Sequence, residues 1–494
     1  MNQTMEHWLD KRAALTPNDI AIETPDHRSW TFYQLQQHVH AFAKKLAGIS
    51  LTDQRPHIAI LSENSIDMVT AFLACTYLRI PVAFLNTRLS PSELQKQCLT
   101  ADVGFMLTSK RCFSKGMDAV EGVKDIAVES FAMVEEKKEE PGSLHKLIYL
   151  DDICSMMFTS GTTGTPKAVM HTYENHWSSA IASSLNLGLL PNDKWLACLP
   201  LFHIGGLSII MKSLIYGMPV YLLEKFDESK VHQAIMDHEV TIVSVVAVTC
   251  KRLLDTLGDS RYPKAFRCML LGGGPAPKSL LQQAKAVDVP VVQTYGMTET
   301  SSQISTLSAT DAWKKIGSAG KPLFQASLQV CRNGKPLACN EIGDIMVKGP
   351  MVTNGYYKRE DANQQAFQNG WLITGDLGYI DKEGFLYVVD RRSDLIISGG
   401  ENIYPAEVEE VLLSYPGIQE AGIVGKEDVT WGKVPVAFIV AGADLEIESL
   451  QDYCSTHLAS FKVPKSFFVV DALPRNATNK LQRHKLKDWL QDDI

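Results

Sequence analysis

No uninterrupted apolar run in these 494 residues reaches the ~18–20 positions needed to span a bilayer. The best candidate, residues 240–250, is short and rich in valine and isoleucine, so it reads as a buried strand. The opening MNQTMEHWLDKR has no apolar signal core, which makes the cytoplasm the expected location. The ten cysteines form no C-x-x-C pair and no His/Cys cluster at zinc spacing. They are expected as reduced thiols packed like small hydrophobes. Positive charge is not in excess: 48 Lys and Arg stand against 56 Asp and Glu, a net charge of -8. That excludes bulk electrostatic attraction to nucleic acid or to an anionic membrane. It leaves room for phosphate ligands, which a few local cations can hold. Internal repeats and low-complexity tracts are also missing.

A 45% hydrophobic and 21% charged composition is that of a soluble globular protein, and the length calls for two or more domains. The first third alternates short apolar runs with helical patterns. Strands are expected at 57–62, 82–85 and 103–107. Helices are expected at 65–78, behind the capping candidates Asn64 and Ser65, and at 90–99, with Pro91 in the first turn. The EEKKEE run at 135–140 reads as a solvated face. A strand at 268–271, a GGG-PAP turn, a helix at 278–287 and a strand at 291–293 continue the α/β theme. After about residue 392 the texture changes. A helix at 405–413, strands at 419–424 and 434–441, a helix at 447–459 and a strand at 466–470 suggest a compact α+β unit. The expected architecture is α/β: a large N-terminal domain of mixed and parallel sheets with flanking helices (1–391), and a small α+β C-terminal domain (392–494).

The most informative stretch is 157–169, MFTSGTTGTPKAV. Thr159, Ser160, Gly161, Thr162, Thr163, Gly164 and Lys167 fall within nine residues. Glycines let backbone N–H groups face an anion, and hydroxyls and an ammonium add donors. This is a cradle for a di- or triphosphate. It is not a P-loop, because Pro166 precedes the lysine and Ala168, which cannot ligate magnesium, follows it.

With this loop the chain resembles the acyl-adenylate-forming superfamily of acyl-CoA synthetases, luciferases and peptide-synthetase adenylation domains. The likeness covers nearly the whole chain. Further motifs come in order: LPLFHIGG at 199–206, TYGMTET at 294–300, WLITGD at 371–376, DRRSDLIISGGENIYP at 390–405 and PRNATNK at 474–480. Within the superfamily, PLFHIGGLS, LLGGGPAP, GSAGKPLF and the segment around DRRSDLIISGGENIYPAEVE resemble the 2-succinylbenzoate–CoA ligase family of bacterial menaquinone synthesis.

The resemblance implies activation of a carboxylate by ATP as an acyl-adenylate, followed by transfer to CoA. Lys480 would reach the carboxylate and α-phosphate oxygens, offsetting the repulsion between two anions. Glu299 would be the Mg²⁺ carboxylate, with Thr298 on the α-phosphate. Thr294, Tyr295 and Gly296 belong to the same nucleotide motif, Tyr295 offering a flat face to adenine. Gly272, Gly273 and Gly274 would let backbone come close to base and substrate. Asp376 and Arg391 would bind the ribose. His203 would line the acyl pocket, where Gly205 and Gly206 leave room for an aromatic acid. Ser302, Gln303 and Ser305 are candidates for holding a second, non-activated carboxylate.

In this family the small domain rotates after adenylation. Lys480 leaves, and the loop with Ser398, Gly399 and Gly400 enters to form a tunnel for pantetheine. The hinge position is Ser393. Trp431, Phe461 and Lys465 would border the CoA nucleotide; Val463 stands where a related benzoate ligase has arginine. Three alternatives stay open: a ligase for another benzoate or a medium-chain fatty acid, a non-catalytic nucleotide- or acyl-binding homologue, and a domain serving a carrier protein. A homo-oligomer is compatible with all of them.

Overall fold

The computed structural model describes residues 3–490 apart from 161–165, 275, 309, 399–400, 429–430, 443–444, 459 and 477–479. Gly161, Thr162, Thr163, Gly164, Gly399 and Gly400 therefore lie outside the described residues, as do the side chains of Ser160 and Arg391.

Three wholly buried runs, His57–Leu61, Val82–Leu85 and Val103–Thr108, pair in parallel at the centre of a six-stranded sheet. Continuous burial on both faces is what parallel strands require. The sheet ends in an antiparallel edge strand, Pro166–Thr172, beside Ile153–Ser160. A nine-stranded sheet follows. Its parallel centre runs from Val291–Met297 through Cys268–Leu271, Ile242–Val245, Trp195–Ala197 and Val220–Leu222 to Ile20–Glu23. Two helices, Ile66–Tyr77 and Ile204–Tyr216, contribute to one apolar cluster that holds residues of both sheets. Both helices are apolar almost all round, as a helix between two sheets must be.

A third, antiparallel sheet contains Ser327–Arg332, Gly343–Lys348, Trp371–Ile380 and Leu386–Arg391. Beyond a short 3₁₀ turn, Arg392–Asp394, a last sheet pairs Ile396–Ser398, Gly432–Ala441 and Ile418–Asp428, with Ser466–Val469 parallel to Gly432–Ala441. It has its own apolar clusters, one built on Ile403, Val408, Ile423 and Ile439. Nine of the ten cysteines are buried and all are free; Cys339 is exposed. Among the described residues no helix is long and apolar enough to cross a membrane.

Two expectations are corrected. Residues 240–250 are not one strand: the strand is Ile242–Val245, and Cys250 lies in the helix Ala247–Leu257. An apolar run cannot by itself distinguish a buried strand from the start of a buried helix. Asn64 is not a cap. The Ser65 hydroxyl accepts from the Met68 N–H at 3.1 Å, and Asn64 binds elsewhere.

Candidate active site

In the edge strand, Lys167 stands opposite Thr159 and His171 opposite Ser155. Positions two apart share a face, so Lys167, Val169 and His171 point the same way. The Lys167 Nζ lies 4.9 Å from the centre of the Tyr356 ring. Burial holds the His171 imidazole down at about 4, so it is neutral. Its Nε2 is 2.7 Å from the Thr298 carbonyl. A carbonyl only accepts, so Nε2 carries the hydrogen. The Ser155 hydroxyl lies 3.4 Å from His171 Nδ1 and 3.0 Å from Nε2 of the buried His176.

The strand Val291–Met297 runs four residues past its expected end at 293 and passes into the 3₁₀ turn Thr298–Thr300. A strand, a loop and a helix pin that turn. His171 donates to the Thr298 carbonyl, the Thr353 N–H to the Glu299 carbonyl at 2.8 Å, and the Ser179 hydroxyl to the Ser301 carbonyl at 2.7 Å. A Cβ on Gly296 would lie 1.7 Å from the Ser302 carbonyl oxygen, so glycine is the residue that fits. The Thr294 hydroxyl meets the Ser305 carbonyl and the Thr306 hydroxyl, which places it in strand pairing. The Glu299 side chain is buried, and its Oε1 accepts from the Tyr356 hydroxyl at 3.0 Å. A buried carboxylate bonded to a neutral hydroxyl suits a hard cation shared with substrate phosphate. Among the described residues no group of three or more His, Cys, Asp or Glu forms a metal cage.

The Tyr295 hydroxyl donates to Asp376 Oδ2 at 2.7 Å, which joins the second and third sheets. Asp376 is buried, stands opposite Arg391, and takes its strand geometry from a bond between its N–H and the Thr374 hydroxyl at 3.1 Å. A Cβ on Gly272 would touch Thr294 Cγ2 at 3.0 Å and one on Gly273 would meet Val246 Cγ1 at 3.1 Å, whereas Gly274 faces open space.

His203 caps the helix Ile204–Tyr216. Asn64 fixes the approach to it: its Nδ2 donates to the Leu199 and Leu223 carbonyls at 3.0 and 3.1 Å, and its Oδ1 accepts from the Leu201 N–H at 2.8 Å. Gly206 does not serve as open space, because its Cβ would lie 2.3 Å from the Pro200 oxygen. The His203 Nε2 is buried with no hydrogen bond among the described residues. Burial first, then the charges of Lys480 and Arg88, push its imidazole down to about 4. Lys480, from the far end of the chain, therefore lies within electrostatic reach of His203.

Roughly two and a half turns further along that helix lies Lys212. It is buried among apolar neighbours, 4.9 Å from the Trp195 ring, and its Nζ is 3.2 Å from Gln303 Oε1. Burial brings it down to about 7. Gln303 also accepts from Ser183 at 2.7 Å and donates to Thr306 at 3.0 Å. Of the three candidate partners for a second carboxylate, the Ser305 hydroxyl is engaged with the Ala319 carbonyl and Gln303 is the one beside the lysine. The sequence signal for Lys212 was available: it is the lone charge in IGGLSIIMKSLIY. Tyr356 and His171 carried no comparable signal, since their partners lie far away in sequence.

Ser398, Trp431 and Lys465 gather at one end of the strand Gly432–Ala441. Ser398 pairs with Gly432, Trp431 precedes it and is exposed, and the Lys465 N–H donates to the Pro435 carbonyl at 2.8 Å.

Residues 9–357 match the AMP-binding enzyme family and residues 407–480 the AMP-binding enzyme C-terminal domain. The chain is 53% identical over 489 residues to a 2-succinylbenzoate–CoA ligase of Oceanobacillus iheyensis, covering 98% of this chain and 100% of the relative. It is 47% identical to o-succinylbenzoate CoA synthetase of Bacillus subtilis. The solved complex of that enzyme with the acyl-adenylate OSB-AMP fits with a TM-score of 0.93 over 98% of this chain and 99% of the other. Its complex with ATP and magnesium fits with the same score over 98% and 100%. A double mutant of it bound to the product analogue OSB-NCoA fits with 0.77, at the same identity and coverage as the adenylate complex.

Proposed function

The chain belongs to the AMP-binding enzyme family, and from that premise we propose that it converts ATP, 2-succinylbenzoate and CoA to 2-succinylbenzoyl-CoA, AMP and diphosphate, a step of menaquinone synthesis. A carboxylate oxygen attacks the α-phosphorus, the bond to the β-phosphate breaks, and diphosphate leaves. The CoA thiolate then attacks the acyl carbon, the C–O bond of the mixed anhydride breaks, and AMP departs with the electron pair.

Thr159, Ser160, the loop 161–164 and Lys167 hold the β- and γ-phosphates. Glu299 holds Mg²⁺, which when bound neutralises charge on phosphate oxygens. Tyr295 and Asp376 meet nucleoside, with Arg391 opposite on the neighbouring strand. The small unit, 392–494, brings Lys480 to the reacting oxygens during adenylation and Ser398 and its loop during thioester formation; Trp431 and Lys465 border CoA. The charge of Lys480 on His203, and the better fit to the adenylate complex than to the product-analogue complex, support an adenylate-forming arrangement. Free, mostly buried thiols suit a cytoplasmic enzyme.

The observation that carries the choice of acid is a second lysine along one apolar helix: Lys480, from the small unit, acts on His203 at the start of Ile204–Tyr216, and Lys212 is buried further along that helix beside Gln303. A buried ammonium in an apolar wall wants an anion, and a simple fatty acid offers none at that end. ATP–pyrophosphate exchange across 2-succinylbenzoate, benzoate and octanoate tests this. Exchange strongest with the dicarboxylate is expected; a preference for octanoate overturns the assignment.

A further inference from the structure

Lys167 and Glu299 carry opposite charges and serve the same triphosphate, so an internal ion pair between them would disable both. Among the described residues Lys167 forms no ion pair with Glu299, and Tyr356 lies against both: its hydroxyl on Glu299 Oε1 at 3.0 Å, its ring 4.9 Å from the Lys167 ammonium. Tyr356 is itself fixed. It is buried, its N–H donates to Asn363 Oδ1 at 2.7 Å, and its carbonyl accepts from Asn363 Nδ2 at 3.0 Å. Gly355 precedes it at φ +135°, where any Cβ would strike Asn363 Oδ1 at 2.6 Å.

We propose that Tyr356 is a positioning residue for the nucleotide–metal site, which orients the Glu299 carboxylate through its hydroxyl and keeps Lys167 apart from that carboxylate with its ring. The proposal rests on the assignment of Glu299 to Mg²⁺. Partners that orient a ligating carboxylate typically change metal affinity by about 10–100-fold when removed. A phenol suits this role because its hydroxyl donates to one carboxylate oxygen and leaves the remaining lone pairs for a cation. The π face attracts an ammonium without neutralising it.

The test uses Mn²⁺ in place of Mg²⁺. Electron paramagnetic resonance measures Mn²⁺ bound to the full-length enzyme with the non-hydrolysable α,β-methylene analogue of ATP, so the readout is occupancy and not turnover. Tyr356→Phe, which loses one oxygen, should weaken Mn²⁺ about tenfold while metal-free analogue binding, followed by calorimetry, stays within twofold. Tyr356→Leu, which also loses the ring, should weaken both. In a Glu299→Gln background, Tyr356→Phe should have no further effect on Mn²⁺. Wild-type Mn²⁺ affinity in Tyr356→Phe, with Glu299→Gln impaired, overturns the role of Tyr356 alone. Wild-type affinity in Glu299→Gln overturns the metal assignment and this proposal with it. An additive Tyr356→Phe effect in the Glu299→Gln background shows that the tyrosine does not act through Glu299, and overturns the proposal as well.

Discussion

Lys212, proposed to meet the second carboxylate, should set specificity and leave a pH signature. Its ammonium is lowered to about 7 because burial disfavours the charged form; the nearby Cys268 thiol is pushed up to about 12 and is neutral. A bound carboxylate raises the lysine again, so binding takes up a proton when the free enzyme is above pH 7. KM for 2-succinylbenzoate should therefore rise as pH goes from 7 to 9, and Lys212→Met should abolish that rise. Losing a charge-assisted hydrogen bond of about 1.5–3 kcal/mol should raise KM roughly 10–150-fold. KM for benzoate should barely change. Stability runs the other way. The folded value lies below the unfolded one, so the unfolded chain binds more protons between about pH 7 and 10, and the ligand-free protein gains stability with pH across that window. Urea midpoints at pH 7 and 9 check this; Lys212→Met should remove the slope. Lys167, Glu299, Asp376 and Lys480 could be picked out as candidates from the sequence because their motifs are local. Tyr356, His171 and Asn64 could not, since each acts on a partner made adjacent only by folding.

At the scale of elements, legibility followed the kind of signal. Strands buried on both faces, such as Val82–Leu85 and Cys268–Leu271, and the helix Pro405–Leu413, with proline in its first turn, begin and end where the sequence pattern places them. The extension of Val291–Met297 beyond residue 293 was not legible, because Tyr295 and Gly296 join the strand only by pairing with Ser305 and Gln303. The helix Ile204–Tyr216 supplies the prediction at this level. Gly206→Ala places a methyl 2.3 Å from the Pro200 oxygen and should cost about 1–3 kcal/mol, read as a lower urea midpoint. Gly205→Ala should cost less, since its Cβ would sit 3.4 Å from the movable Leu199 Cδ1. Equal losses for the two would mean that backbone crowding at Gly206 is not what selects glycine there.

For the whole molecule, the two half-reactions should come apart under one substitution. Lys480→Ala should lower acid-dependent ATP–pyrophosphate exchange by about 10²-fold or more, the scale for removing a charge-stabilising donor. Thioester formation from synthetic acyl-adenylate and CoA should fall far less; equal loss in both assays would refute rotation of the small unit. Near its start that unit is anchored by backbone and charge: the Ala406 N–H binds Asp390 Oδ2 at 2.8 Å, and Lys278 pairs with Glu410 at 3.4 Å. The latter is an exposed contact worth about 0–1 kcal/mol, too weak to oppose the proposed rotation. The thiol inventory has a practical consequence for watching that motion. With nine sulfurs sealed inside and Cys339 alone at the surface, a maleimide dye has a single landing place in the native enzyme. A second fluorophore on one introduced cysteine beyond residue 393 would let energy transfer report directly whether the small unit swings during turnover.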